Sequence, residues 1–243
     1  MGEITLHKEV VEQLFAGERQ ANLEGNAAPL LKLLETCGMV GMPVVFHCDV
    51  DLPGARGPEA PAYLEGIRRL LADPAVAGTV IAWAHAGGLG RFVSAPAGHV
   101  QALRAMLADS RFNHVHIDLS WSVVAERLVR DSETLAQWAV LINDYPTRFL
   151  YGSDAVAPMD GERWNQTYGK YRDLLAALAP ACRRQVCTGN YERVFIAARR
   201  KVPAFECYIL PGIIADLGRA FMPQSAAAMP MLRMPESPEK PLQ

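Results

Sequence analysis

The sequence predicts an α/β fold, a parallel sheet wrapped by helices, on three observations. Short apolar or β-branched runs alternate with longer segments of helical period as far as about residue 200. The runs are almost continuously hydrophobic, as strands covered on both faces must be. Polar residues end successive runs at intervals of about one βα unit, roughly 30–40 residues.

The candidate strands are Glu3–Leu6, Val44–His47, Thr79–Ala84, Val115–Leu119 and Arg148–Tyr151. Between them lie apolar stripes at helical spacing: Val10, Val11, Leu14 and Phe15; Leu30, Leu31, Leu33 and Leu34; Leu64, Ile67, Leu70 and Leu71; Leu103, Met106 and Leu107. A last helix is expected to open with Asn190 as its N-cap, to carry Tyr191, Val194, Phe195 and Ala198 on one face, and to end in Arg199-Arg200-Lys201, where positive charge suits the helix dipole. Residues 1–200 therefore read as one α/β domain. Residues 201–243 read as a proline-punctuated carboxyl-terminal extension, with a short helix around Ile213–Phe221 and irregular chain past 221.

Composition narrows the function classes. With 24 Lys+Arg against 26 Asp+Glu the formal charge is −2, so the basic excess that phosphate-backbone binding requires is missing and nucleic acid is not an expected partner. The longest uncharged apolar run, around Ala75–Ala84, is about half the ~20 residues of a membrane span, so no membrane partner is expected. Five cysteines without a CxxC pair argue for a reducing compartment and against a disulfide framework or a thiolate zinc site; a cytoplasmic location is the expectation.

The chemistry is carried by the residues that end the apolar runs. Val44-Val45-Phe46 ends in His47, Val80 to Ala84 in His85, Val115 to Ile117 in Asp118, and Phe149-Leu150-Tyr151 leads through Gly152-Ser153 to Asp154. One βα unit apart, these side chains gather at the carboxyl rim of a parallel sheet, where such folds build their active sites. Two imidazoles and a carboxylate from separate strands suit zinc, iron or manganese. The carboxylate could also take a proton from a metal-bound water and deliver it to a leaving group. Glu3, near the start of the first strand, is a candidate further ligand.

Other residues carry plainer readings. Asp118 could cap the helix that follows it. His114 and His116 mimic an HxH pair but precede the strand's carboxyl end, so they read as interior or surface residues. His7 and His99 lie on expected helix starts, and Cys48 reads as a packed thiol. The glycines after His85 lack the G-x-G-x-x-G spacing of a dinucleotide site, and no G-x-S-x-G elbow is present.

Five segments in order, Pro43-Val-Val-Phe-His47, Ala84-His85-Ala86-Gly87-Gly88, Ile117-Asp118-Leu119-Ser120, Tyr151-Gly152-Ser153-Asp154 and Gly189-Asn190-Tyr191-Glu192-Arg193-Val194-Phe195, resemble the carboxyl-terminal half of an amidohydrolase-related metal-dependent hydrolase. The resemblance spans residues 2–200. It implies a TIM-barrel-like (β/α)₈ architecture of which this chain holds about five strands, equivalent to strands four to eight, with a one- or two-metal site at the carboxyl rim. By that resemblance His47 matches the fifth-strand histidine, His85 the sixth-strand histidine, and Asp154 the eighth-strand aspartate that binds metal and acts as general base; Gly2-Glu3 match the start of the fourth strand. The family's first-strand HxH pair has no counterpart here. Open sheet edges then invite pairing with a second copy or with an amino-terminal half.

The expected activity is hydrolysis of a C–N or C–O bond in a small-molecule substrate by a metal-activated water, with zinc the first choice and iron or manganese the others. Arg91, Asp118 and Trp121 are the candidate substrate contacts, Arg91 for an anionic group. Two alternatives stand beside it: non-oxidative decarboxylation, which the same family performs with the same shell, and an inactive truncated half-barrel serving as a structural or interaction module. An open flavodoxin-like sheet is a third, disfavoured by histidines at two adjacent strand ends.

Overall fold

A computed structural model of the chain describes residues 2–8, 23–55, 59–155, 160–199 and 210–221. The chain divides into two units, Met1–Pro203 and Ala204–Gln243. In the first, β1 (Glu3–Leu6), β2 (Val44–Cys48), β3 (Ile81–Trp83), β4 (Val115–Asp118) and β5 (Phe149–Leu150) form one parallel sheet. Their order across the sheet is their order in the chain. That is the singly wound arrangement of a (β/α) barrel, of which a closed example takes eight strands; the described sheet is an open five-stranded part of one.

Helices α1 (Leu23–Met39), α2 (Leu64–Leu71), α3 (His99–Ala108), α4 (Ser122–Leu128), α5 (Ser132–Asp144), α6 (Gly161–Gly169) and α7 (Arg172–Ala177) follow the strands, and α8 runs over residues 180–199. The apolar stripes dock as their spacing requires: Leu30 and Leu34 of α1, Ile67, Leu70 and Leu71 of α2, and Leu103, Met106 and Leu107 of α3 are buried. They cover strands whose own Phe46, Ile81, Trp83, Val115, Ile117 and Phe149 are fully buried. In the second unit, α9 spans Leu210–Phe221. The expected stripe at residues 10–15 and the irregular tail past 221 lie outside the described residues. No described helix is long and apolar enough to cross a membrane.

Three local expectations are corrected. Asn190 does not open a helix but sits inside α8, where its side-chain amide donates to the carbonyls of Pro146 and Phe149, both at 2.8 Å. Arg193, one turn on, donates to the Thr147 carbonyl and approaches His116 Nε2 at 3.3 Å. The Asn190-to-Arg193 segment thus ties α8 to the chain entering β5, and burial of a strand end is what recruits an amide there. Asp118 caps no helix, because α4 begins at Ser122 without a side-chain cap and Asp118 takes the Ser120 hydroxyl instead. His7 follows β1 with φ 46° and stacks on Tyr63 at 3.7 Å, rather than opening a described helix.

Backbone strain is concentrated where the strands end. Among the described residues the non-glycine positions with positive φ are His7, His85, Ala86, Trp121 and Asp154, each just past the carboxyl end of β1, β3, β4 or β5. A left-handed backbone costs an ordinary residue roughly 1–2 kcal/mol, and such strain persists only where surrounding contacts over-determine it. After β3 four residues in succession are left-handed: His85 (61°), Ala86 (53°), Gly87 (79°) and Gly88 (83°). The chain is closed in this hand by the Leu89 N–H donating to the His85 carbonyl at 2.8 Å and by the Val50 N–H donating to the Gly88 carbonyl at 2.9 Å.

Gly88 has no room for a side chain, since a Cβ would stand 2.4 Å from the Cys48 carbonyl oxygen and 2.7 Å from Val50 N. Gly98 has similar dihedrals but open space around it. Gly88→Ala is expected to lower the unfolding free energy by more than about 2 kcal/mol, and Gly98→Ala by only about 1 kcal/mol. Urea denaturation of the two variants checks the contrast, and equal midpoints would contradict it.

Candidate metal centre

The parallel register puts the first two groups side by side. Thr5 of β1 lies opposite His47 of β2, and Glu3, two residues before Thr5, projects from the same face. The Glu3 carboxylate Oε1 lies 3.0 Å from His47 Nδ1. The left-handed turn after β3 carries His85 back towards the same point, with its Nε2 3.0 Å from the same His47 Nδ1. Glu3, His47 and His85 thereby each bring one ligand atom within 4.8 Å of the others. Both imidazoles are 3% exposed, whereas the Glu3 side chain is 33% exposed, so the cluster opens to solvent on one side.

The far nitrogen of each ring fixes which way its lone pair points. His85 Nδ1–H donates to the Ser120 carbonyl at 3.2 Å; a carbonyl only accepts, so Nε2 is the bare nitrogen. His47 Nε2 lies 3.3 Å from the Asp49 carboxylate, which orients the ring with Nδ1 inward. Such outer partners are what set ligand orientation in metal sites. Three acceptor atoms facing one point repel one another unless a cation lies between them.

Without a metal, that cation is a proton on His47 Nδ1. Burial opposes charge on His47, but the Asp49 and Glu3 carboxylates outweigh it and raise its pKa. The same hydrogen bond from His47, aided by Lys8 at 2.9 Å and working against burial, holds Glu3 far below the usual carboxylate range. Burial, together with the charge on His47, pushes His85 down to about 4, so it stays neutral. Two nitrogens and an oxygen, one proton among them, suit a borderline divalent ion of the zinc, iron or manganese kind.

The other sequence candidates lie around this cluster. Asp154 is outside the three-atom group, on the exposed rim with φ 45°; partial burial and the Glu3 charge raise its pKa. The Asp118 carboxyl accepts the Ser120 hydroxyl; burial pushes it up to about 6 against the pull of that hydroxyl and of the Ser120 and His85 backbone N–H groups, with the Asp154 charge adding to the rise. The Trp121 ring sits 5.1 Å from the His85 ring. Arg91 is exposed on the loop beyond the turn, its carbonyl bound by Arg127.

Several supporting groups escaped the sequence reading. Asp49 is two residues after His47 and faces its ring, a spacing that was legible. Ser120 acts through its carbonyl, and Tyr171 through a hydroxyl lying 2.5 Å from the Leu119 carbonyl and 3.0 Å from that of Trp121; neither leaves a sequence signal, because any residue has a carbonyl. Lys8 is one more surface lysine until the fold brings it to Glu3.

The family model described as Amidohydrolase matches residues 10–196. The chain belongs to the amidohydrolase family. The matched span includes His47, His85 and Asp154, and Glu3 lies just before it. Among solved structures, a Pseudomonas putida protein designated a 2-pyrone-4,6-dicarboxylic acid hydrolase is similar at 19% identity and a TM-score of 0.44, over 67% of this chain and 55% of that one. The chain thus spans little more than half the length of that protein. No curated protein matches it.

The proton on His47 makes a thermodynamic prediction for this chain. A divalent ion taking the Nδ1 lone pair must displace it, so below the raised His47 pKa binding should release about one proton per chain, and affinity should climb as pH rises towards that pKa and then level off. Titration calorimetry with zinc in buffers of different ionisation enthalpy measures the release. Binding without proton release would place the ion elsewhere.

Proposed function

We propose that this chain carries the working metal site of a hydrolase of the amidohydrolase type, acting on a C–N or C–O bond of a small molecule. The observation that carries the reading is the convergence of Glu3 Oε1, His47 Nδ1 and His85 Nε2 on one point, and family membership supports it. These three residues would hold one divalent ion, zinc before iron or manganese. When bound, such an ion supplies Lewis acidity towards water and a substrate oxygen.

The chain's own residues supply the rest. Asp154, at the open rim with a proton affinity above that of an ordinary aspartate, takes a proton from the attacking water and returns it to the leaving group. Asp49 and the Ser120 carbonyl keep the two rings aimed. The Trp121 ring beside His85 walls off water from one side of the reacting centre, and Asp118, its carboxyl pushed up by burial, is the partner for a polar substrate group. Arg91 pairs with an anionic substrate group outside this shell.

Protein purified without chelator should carry close to one zinc, iron or manganese per chain by elemental analysis. His85→Ala should lose at least about tenfold in zinc affinity, the scale on which changes around metal sites act, with its circular dichroism unchanged. Asp154→Asn should keep zinc within a few-fold but lose roughly 10²–10⁴ in turnover on the lactone, ester or amide that a small-molecule screen identifies. Full turnover in Asp154→Asn would remove its role as proton carrier; carbon dioxide release without hydrolysis would assign the decarboxylase chemistry instead.

A further inference from the structure

His85 can meet Glu3 and His47 only because the turn that carries it is left-handed, so whatever holds that turn controls the cluster. The turn is gripped by a side chain that belongs to no part of that cluster. His99, the first residue of α3 and 4% exposed, places Nε2 2.9 Å from the Ala86 carbonyl oxygen. A carbonyl only accepts, so Nε2 carries the proton. Gly87 lies directly under α3: a Cβ there would stand 2.8 Å from the end of the Leu103 side chain and 3.6 Å from His99 Cε1, so α3 packs closely on the turn.

The second nitrogen of the ring argues that the first is the reason for the histidine. Nδ1 of His99 is buried without a hydrogen-bond partner, which destabilises the fold. A position whose task was packing alone, against Trp138 and the α3 contacts, would be served better by an apolar side chain. We propose that His99 is a positioning residue for the metal-binding cluster: its Nε2–H grips the Ala86 carbonyl and keeps the turn in the hand that aims His85 at Glu3 and His47. Its effect on metal rests on the proposed function, whereas its grip on the turn does not. Burial keeps the ring neutral, with its pKa pushed down to about 4, so the tautomer that donates is available throughout the physiological range.

The experiment reads the turn and the metal separately. In the parent chain, nitrogen-15 shifts should identify His99 as the Nε2–H tautomer; the Nδ1–H tautomer would overturn the proposal whether or not any variant folds. By amide hydrogen exchange in metal-free protein, His99→Leu should exchange the Leu89 N–H at least about tenfold faster, while the Ile117 amide in β4 keeps its rate. His99→Gln, whose terminal amide can donate from a similar place, should return Leu89 to near the parent rate. Zinc affinity should follow, lower by about 10–100-fold in His99→Leu and recovered in His99→Gln. Parent-like Leu89 exchange in His99→Leu would show that packing suffices and would overturn the proposal. A parent chain that binds no zinc would instead sink the metal-site reading, with the exchange data still deciding the role of His99.

Discussion

The carboxyl rim of this protein depends on a backbone of the unfavoured hand. Right-handed continuation after β3 would carry His85 into a helix and away from its neighbours; the left-handed run from His85 to Gly88 instead folds the ring back over the strand ends. That run includes two residues with side chains, each working against the steric preference of an L-amino acid. It is tolerated because the chain around it leaves no alternative: Val50 and Leu89 close its backbone, Cys48 and Val50 press against Gly88, and His99 grips the Ala86 carbonyl.

Electrostatics and strain point to the same place by independent routes. The positive-φ residues at His7, His85, Trp121 and Asp154 follow four different strands, yet all stand at the carboxyl ends of the sheet. The shifted ionisations of Glu3, His47, His85, Asp118 and Asp154 also belong to that rim. Histidines elsewhere are shifted as well: burial pushes His116 down to about 4. The rim is set apart by opposing directions within contact distance, His85 lowered by burial and the His47 charge and His47 raised by the Asp49 and Glu3 carboxylates, across 3.0 Å, a pattern common at functional sites.

The outer layer explains how so small a cluster keeps its aim. Both rings are oriented by acceptors on loops, Asp49 after β2 and the Ser120 carbonyl after β4. Ser120 is in turn surrounded by fixed groups, because its hydroxyl binds Asp118 and the flanking Leu119 and Trp121 carbonyls both face Tyr171 Oη. At the opposite end of the sheet, Asn190 and Arg193 fasten α8 to the chain entering β5. Of the five segments that resemble the amidohydrolases, the last is therefore a structural fastening, and the first four carry the rim.

The sequence by itself determined the α/β class, the five strands in order and the placement of His47, His85, Asp118 and Asp154 at strand ends, because hydrophobic runs and one βα unit of chain are local quantities that a linear reading can count. It also held the spacing of Asp49 from His47. Only the tertiary structure decided that Glu3, rather than Asp154, brings a ligand atom within 4.8 Å of those of both imidazoles, since that depends on the register of β1 against β2 and on the hand of a turn. It alone turned Asn190 from a helix cap into a fastening and His99 from an ordinary helix start into a contact on the turn. The physical reason is the same throughout: backbone carbonyls, lone-pair directions and positive φ are properties of packing between distant segments, and no single segment of the chain specifies them.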